Sequence, residues 1–221
     1  MPAVIDTDRL LAEVVSSTGT LADISDSADP AAQVPTCPDW TLRQLITHVG
    51  RAQRWATAIM ATRSAEPIPF REVPDGRLPD DPAERPGWLR RGAAGLAEAV
   101  HGAGTSQAWT HHGMGPASYW ARRMAHETAV HRADGQITVG TRPVIDPVIA
   151  TDDGLTGEWL ISGGPDGVTV QAGHGKGDAA VRGPASALML LLVRRLAPDD
   201  PAVEVIGDRA VLDGWLAATP F

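Results

Sequence analysis

The chain has 221 residues, 43% of them hydrophobic and 21% charged, a balance that supports a packed core and excludes wholesale disorder. Its formal charge is −8, and its arginines are scattered with no basic run, which argues against gripping nucleic acid or an anionic membrane. The single cysteine, Cys37, excludes an internal disulfide framework, a Cys-rich zinc module and an iron–sulfur cluster held by this chain alone.

Met1 to Leu11 holds no apolar stretch, so no secretory signal is read and a cytoplasmic protein is expected. Leu10, Leu11, Val14, Val15 and Leu21 recur at helical spacing and predict a first helix over Asp8 to Leu21. Ser25 to Thr36 is polar and carries proline, so it reads as a loop. Thr41 with Gln44 three residues later forms a capping box, and Trp40 is placed as a hydrophobic staple. The second helix that follows gathers Leu42, Leu45, Ile46, Val49, Ile59 and Met60 largely on one side. Prolines from Pro67 to Pro86 predict a long surface excursion with no regular element. A third helix is predicted over Trp88 to His101, then a loop from Gly102 to Gly115 that holds Trp109, His111 and His112. Pro116 suits a helix start. The fourth helix is predicted from Ala117 to about Asp134, with Gly135 as its stop. Four such helices predict an antiparallel bundle with long connections.

The composition shifts between Ile137 and Asp146, which reads as a linker between domains at 1–138 and 147–221. Leu155, Trp159 and Leu160 fit a short helix over Thr151 to Leu160. Gly167 to Gln171, Ala179 to Arg182 and Ala202 to Ile206 read as strands. Pro184 to Leu196 is a strongly apolar helix and Asp208 to Ala217 a final one. The apolar run Ala187 to Val193 is far shorter than the ~20 residues that span a bilayer. The fold class is therefore α+β: a four-helix bundle followed by a small α+β domain.

The chemistry concentrates on the fourth helix. At about 100° per residue, Trp120, Met124, Glu127 and His131 fall in one narrow stripe, while His126 falls almost opposite Met124. Trp120 and Met124 mark the stripe as core-facing, so Glu127 and His131 point inward at i and i+4. An unpaired inward carboxylate is costly. An ion, an arginine or a hydrogen-bond network must compensate it. His48 on the second helix is the candidate third ligand. A His, Glu and His trio leaves one coordination position open, as in catalytic zinc sites. The alternative is a satisfied core histidine beside a buried Glu–Arg pair. Cys37, before Pro38, suits a small packed residue. His111 and His112 suit solvated loop positions. Trp55, Trp88 and Trp109 suit core packing. Gly173 to Gly177 suits a turn between strands and lacks P-loop order.

Thr36-Cys37-Pro38-Asp39-Trp40-Thr41-Leu42-Arg43-Gln44-Leu45-Ile46-Thr47-His48-Val49-Gly50 resembles the start of helix two in the mycothiol-dependent maleylpyruvate isomerase family. That family belongs to the DinB-like superfamily of metal-binding four-helix bundles. Arg123 to Asp134 resembles its second signature, on helix four. Val181 to Ser186 and Gly207 to Leu212 resemble its small C-terminal domain. The resemblance covers nearly the whole chain. It implies a DinB-like bundle whose metal ligands are His48, Glu127 and His131. It also implies a substrate-binding arginine in the C-terminal domain, for which Arg182 and Arg209 are the candidates. The thiol cosubstrate it implies is mycothiol, the actinobacterial thiol, and zinc is the default ion, with nickel, iron and manganese compatible.

The activity this implies is that of a metal-dependent, mycothiol-using enzyme. A metal-activated thiolate would attack a small electrophile, in cis–trans isomerisation or in S-transfer. A metal-dependent hydrolase using bound water and a non-catalytic ligand-binding or regulatory module are the alternatives. The expected partners are the electrophile and mycothiol, with no nucleic acid and no membrane, and the expected state is a monomer or weak dimer.

Overall fold

The computed structural model describes residues 6–146, 157–165 and 167–219. These fall into two units, one inside Ile5–Ile149 and one inside Ala150–Phe221. In the first unit, α1 (Thr7–Ser27) starts on Asp6, whose carboxylate accepts the Asp8 amide. α2 (Leu42–Thr62) starts on the expected capping box. The Thr41 hydroxyl accepts from the Gln44 amide, and the Gln44 carboxamide oxygen accepts from the Thr41 amide at 2.8 Å. Replacing Thr41 by alanine removes the first of these bonds, and a loss of about 1 kcal/mol in urea unfolding is expected. α3 (Arg85–Ala103) and α4 (Ala117–Thr138) complete the bundle.

Around the bundle, α1 packs mainly on α3 and α4, and α2 mainly on the same two, so α1 and α2 are diagonal. Asp8 meets His101 and Asp23 meets Arg90, so α1 and α3 run antiparallel. His48 meets Glu127 while Trp55 meets Trp120, so α2 and α4 are antiparallel too. Gly50 faces Trp88 and Gly92 faces Arg54, so α2 and α3 run parallel. Consecutive parallel helices need a return path as long as a helix, about 30 Å. The proline-rich segment 63–84 is that crossover, and it contains two short 3-10 turns, Phe70–Glu72 and Pro82–Glu84. It is tied down by the Trp55 and Trp88 indole N–H groups, which donate to the carbonyls of Ile68 and Asp75 at 2.7 and 2.9 Å. The core is filled by Leu21, Leu42, Leu45, Ile59, Trp88, Leu89 and Trp120, all fully buried.

Four expectations are corrected in this unit. The bundle is not antiparallel throughout, because the crossover lets α2 and α3 run parallel. That crossover, expected to hold no regular element, contains two 3-10 turns. The stretch read as a loop forms a hairpin, β1 (Gln107–Thr110) and β2 (Gly113–Pro116), with Trp109 opposite Met114. Its second strand is Gly-Met-Gly-Pro, which lacks the β-branched residues that signal a strand. Gly135 does not stop α4, which runs on to Thr138. A Cβ at Gly135 would lie 2.8 Å from Leu21 Cδ2, so this glycine serves close contact between α1 and α4.

In the second unit, β3 (Trp159–Gly164) pairs antiparallel with β4 (Gly167–Ala172), and β5 (Ala179–Arg182) with β6 (Glu204–Gly207). α5 (Ala185–Leu192) and α6 (Arg209–Ala218) complete it, and α6 is capped by Asp208 as expected of a helix starting there. Leu191, Leu212 and Leu216 form a small core with Val181, Val205 and Trp215. The short helix expected over Thr151 to Leu160 is corrected at its end. Trp159 and Leu160 lie in β3 opposite Ala172 and Gln171, and pairing overrides their helical spacing. Residues 151–156 lie outside the described residues. α5 ends at Leu192, short of Leu196, and Arg194 follows at a φ of 60°. Gly173 to Gly177 connects β4 to β5. Among the described residues no helix is long and apolar enough to cross a membrane.

Candidate metal centre

α2 and α4, neighbours in the bundle but 79 positions apart in the chain at the key pair, present three side chains to one another. His48 Nε2 lies 2.8 Å from Glu127 Oε1, and His131 Nε2 lies 3.4 Å from the same oxygen. One ligand atom from each of the three residues falls within 4.8 Å of the others. Glu127 and His131 are 15% and 12% exposed at the side chain, whereas His48 is 37% exposed, so the cluster opens on the His48 side.

Behind this trio stands a carboxylate that helical spacing does not single out. Asp134, fully buried, takes the Nδ1 side of His131 at 2.8 Å. It also accepts from the Thr36 hydroxyl at 2.5 Å, and the Cys37 thiol lies 3.7 Å away. An N–H on Nδ1 directed at Asp134 leaves the lone pair of His131 on Nε2, toward Glu127. The loop before α2 adds Trp40, whose ring lies 4.8 Å from His48 and 5.7 Å from His131. Trp40 therefore walls the centre as well as packing on the bundle core. The sequence signal for Asp134 is its position three residues after His131. Reading the helix as ending at Gly135 hides it, because Asp134 then looks like an end residue.

Burial alone would raise the Glu127 carboxyl. Hydrogen bonds with His131 and His48, and the charges of His131 and Arg123, outweigh it and hold Glu127 well below the usual carboxylate range. Arg123, one turn earlier on α4, pairs with the second Glu127 oxygen. Burial works against protonated His131, but bonds to Asp134 and Glu127 and their charges raise its pKa above the ordinary value. The buried carboxylate is thus compensated by an arginine and a hydrogen-bond network, and its donors also converge. Two imidazole nitrogens and one carboxylate oxygen, with a carboxylate behind one imidazole, fit a divalent ion such as zinc.

About two turns from the trio the contact between α2 and α4 is aromatic. Trp55 lies seven residues after His48 and Trp120 seven before Glu127, and their rings meet at 5.4 Å. Trp109 and His111 from the β1–β2 hairpin join them, and the His111 Nδ1 lies 2.7 Å from the Tyr119 hydroxyl. Burial, then the charges of Arg123 and His112, lower the His111 pKa. Trp88 is core, as expected, whereas Trp55 and Trp109 are only partly buried. Within the second unit, Arg182 lies 4.0 Å from Glu204 and Arg209 lies 2.8 Å from Asp213.

Replacing Asp134 by asparagine keeps the shape and removes the charge behind His131. Zinc affinity, measured by competition with a chelator, is expected to fall about 10–100-fold. An unchanged affinity would remove Asp134 from the centre.

Residues 10–135 match the family described as the mycothiol maleylpyruvate isomerase N-terminal domain. Two solved structures resemble the chain. One is the mycothiol-dependent maleylpyruvate isomerase, at 18% identity and a TM-score of 0.56, covering 90% of this chain and 92% of that one. The other is a histidine-to-alanine variant under the same name, at 19% identity and a TM-score of 0.55, covering 84% and 88%. At these identities the likeness is one of fold. No curated protein matches the chain.

Proposed function

The chain belongs to the mycothiol maleylpyruvate isomerase N-terminal domain family, and from that premise we propose that it is a metal-dependent enzyme using mycothiol on a small electrophile. The reaction is cis–trans isomerisation or S-transfer. The observation that carries this reading is the convergence of His48, Glu127 and His131 with Asp134 behind them. His48, Glu127 and His131 would hold a divalent ion, zinc by default, which would supply the charge that lowers the pKa of a thiol bound beside it. Asp134 holds the His131 ring in one orientation and tautomer. Against the cost of burial, His131 and His48, and after them Arg123, keep Glu127 ionised. Trp55, Trp109 and Trp120 pack together about two turns from the trio. The Cys37 thiol is engaged with Asp134 at 3.7 Å, and the reacting thiol is proposed to come from the cosubstrate.

Arg182 and Arg209 are the proposed partners of a substrate carboxylate, which a guanidinium can grip with two bonds. The protein is proposed to work in the cytoplasm, as a monomer or weak dimer. The test is turnover of cis-configured conjugated keto acids, maleylpyruvate first, with and without mycothiol. Loss of the cis acid that requires both zinc and mycothiol is expected. Turnover of an ester or amide panel without thiol would replace this reading with metal-assisted hydrolysis.

A further inference from the structure

An open groove of about 640 Å³ lies between α2 and the crossover and contains none of the trio. Arg43, Thr47 and Arg51 line it from α2, and Phe70, Arg71 and Arg77 from the crossover. Its carboxylates are already engaged. Asp75 accepts two bonds from Arg54, at 3.0 and 2.8 Å, and Asp80 pairs with Arg77 at 2.9 Å. Glu72 beside the groove lies 3.4 Å from Arg71. Among the described residues no carboxylate pairs with Arg43 or Arg51.

These two arginines stand at i and i+8 with Thr47 between them. They share one stripe of α2 and are separated by about 12 Å along its axis. Both are exposed, and an exposed aromatic ring lines the same groove. The Phe70 ring stacks on Trp55 at 5.3 Å, has the Arg51 guanidinium 5.5 Å from its centre, and is still 52% exposed. A concave, cation-lined surface with an open ring stands out on a chain of net charge −8. Burial of a planar face and pairing of two guanidiniums are the gains this surface offers a ligand.

We infer that this groove binds a planar organic dianion, an aromatic molecule carrying two carboxylate, sulfonate or phosphate groups. Arg43 and Arg51 take the two anionic groups and Phe70 takes the planar face. The groove contains none of the trio, although Arg51 stands one turn after His48 and Phe70 stacks on Trp55. It is tested by calorimetry on the full chain at fixed ionic strength, with naphthalene-1,5-disulfonate and inorganic tripolyphosphate as probes. Saturable disulfonate binding is expected, tighter than that of tripolyphosphate and unchanged by zinc or chelator. The Arg43→Gln/Arg51→Gln double variant is expected to lose roughly tenfold or more in affinity. Phe70→Ala is expected to weaken the disulfonate and spare tripolyphosphate, and Glu127→Gln to bind like the parent. Circular dichroism checks that each variant is folded, and Arg43→Gln alone serves if the double variant is not. No saturation at millimolar disulfonate, full binding in the arginine variants, or equal binding of the two probes would overturn the proposal. So would loss in Glu127→Gln, which would put the ligand at the trio.

Discussion

Glu127→Gln is expected to leave the purified protein essentially free of divalent ion under conditions where the parent takes up about one per chain. The change exchanges the only anionic ligand for a neutral amide. It also leaves Arg123 without its anionic partner and makes the oxygen shared by His48 and His131 a neutral carboxamide acceptor. Losing one member of a largely buried charged cluster costs on the order of 3 kcal/mol, about a hundredfold in ion affinity. Metal analysis after exhaustive dialysis measures it, and full ion content in the variant would rule the trio out. Acid competes with the ion for the same nitrogens. The raised pKa of His131 means that its proton is bound at higher pH than usual, so uptake falls with falling pH from above about 6.5.

The second large effect lies in the core. A Cβ at Gly50 would stand 2.0 Å from the nearest atom of the Trp88 ring. Trp88 is fully buried and pinned. Its indole N–H donates to Asp75, its carbonyl accepts from Arg54, and the Arg54 guanidinium lies 4.1 Å from its ring centre. The ring cannot yield without releasing the crossover. Alanine ordinarily favours a helix over glycine by up to about 1 kcal/mol, but here overpacking outweighs that gain. A net loss of about 3 kcal/mol is expected for Gly50→Ala, or roughly 9 °C in Tm. Thermal melting followed by circular dichroism measures it. A Tm within a degree of the parent would show that α2 and α3 separate more easily than this contact implies. Gly95 is the control, because a Cβ there meets nothing within 4 Å.

The helices were legible because each carries a strong local signal. Thr41 and Gln44 announce α2, and the stripe through Trp120 and Met124 orients α4 so that Glu127 and His131 face inward. The trio followed from that stripe and from His48 on the capped helix. What escaped depends on neighbours that no local spacing records. The β1–β2 hairpin is built from residues with weak strand preference and is held by pairing. Trp159 and Leu160 keep a helical interval yet pair with Gln171 and Ala172. Gly135 carries the usual mark of a helix end but serves contact with Leu21. Asp134 escaped with it, and so did Thr36 and Trp40, which reach the centre from a loop. The parallel course of α2 and α3 has no sequence signal beyond the length of the proline-rich connection.

One helix serves three surfaces at once: His48 toward α4, Gly50 toward Trp88, and Arg43 with Arg51 toward the groove. Their angular phase is common, because a helix turns as a rigid screw. A slip of one residue in where α2 begins would rotate all three by about 100° together. The Thr41–Gln44 box is thus a timing mark as well as a cap. A one-residue insertion between Gln44 and Thr47 would desynchronise the two ends of the helix, leaving the first turn in step and carrying both the ion ligand and the tryptophan seat out of it.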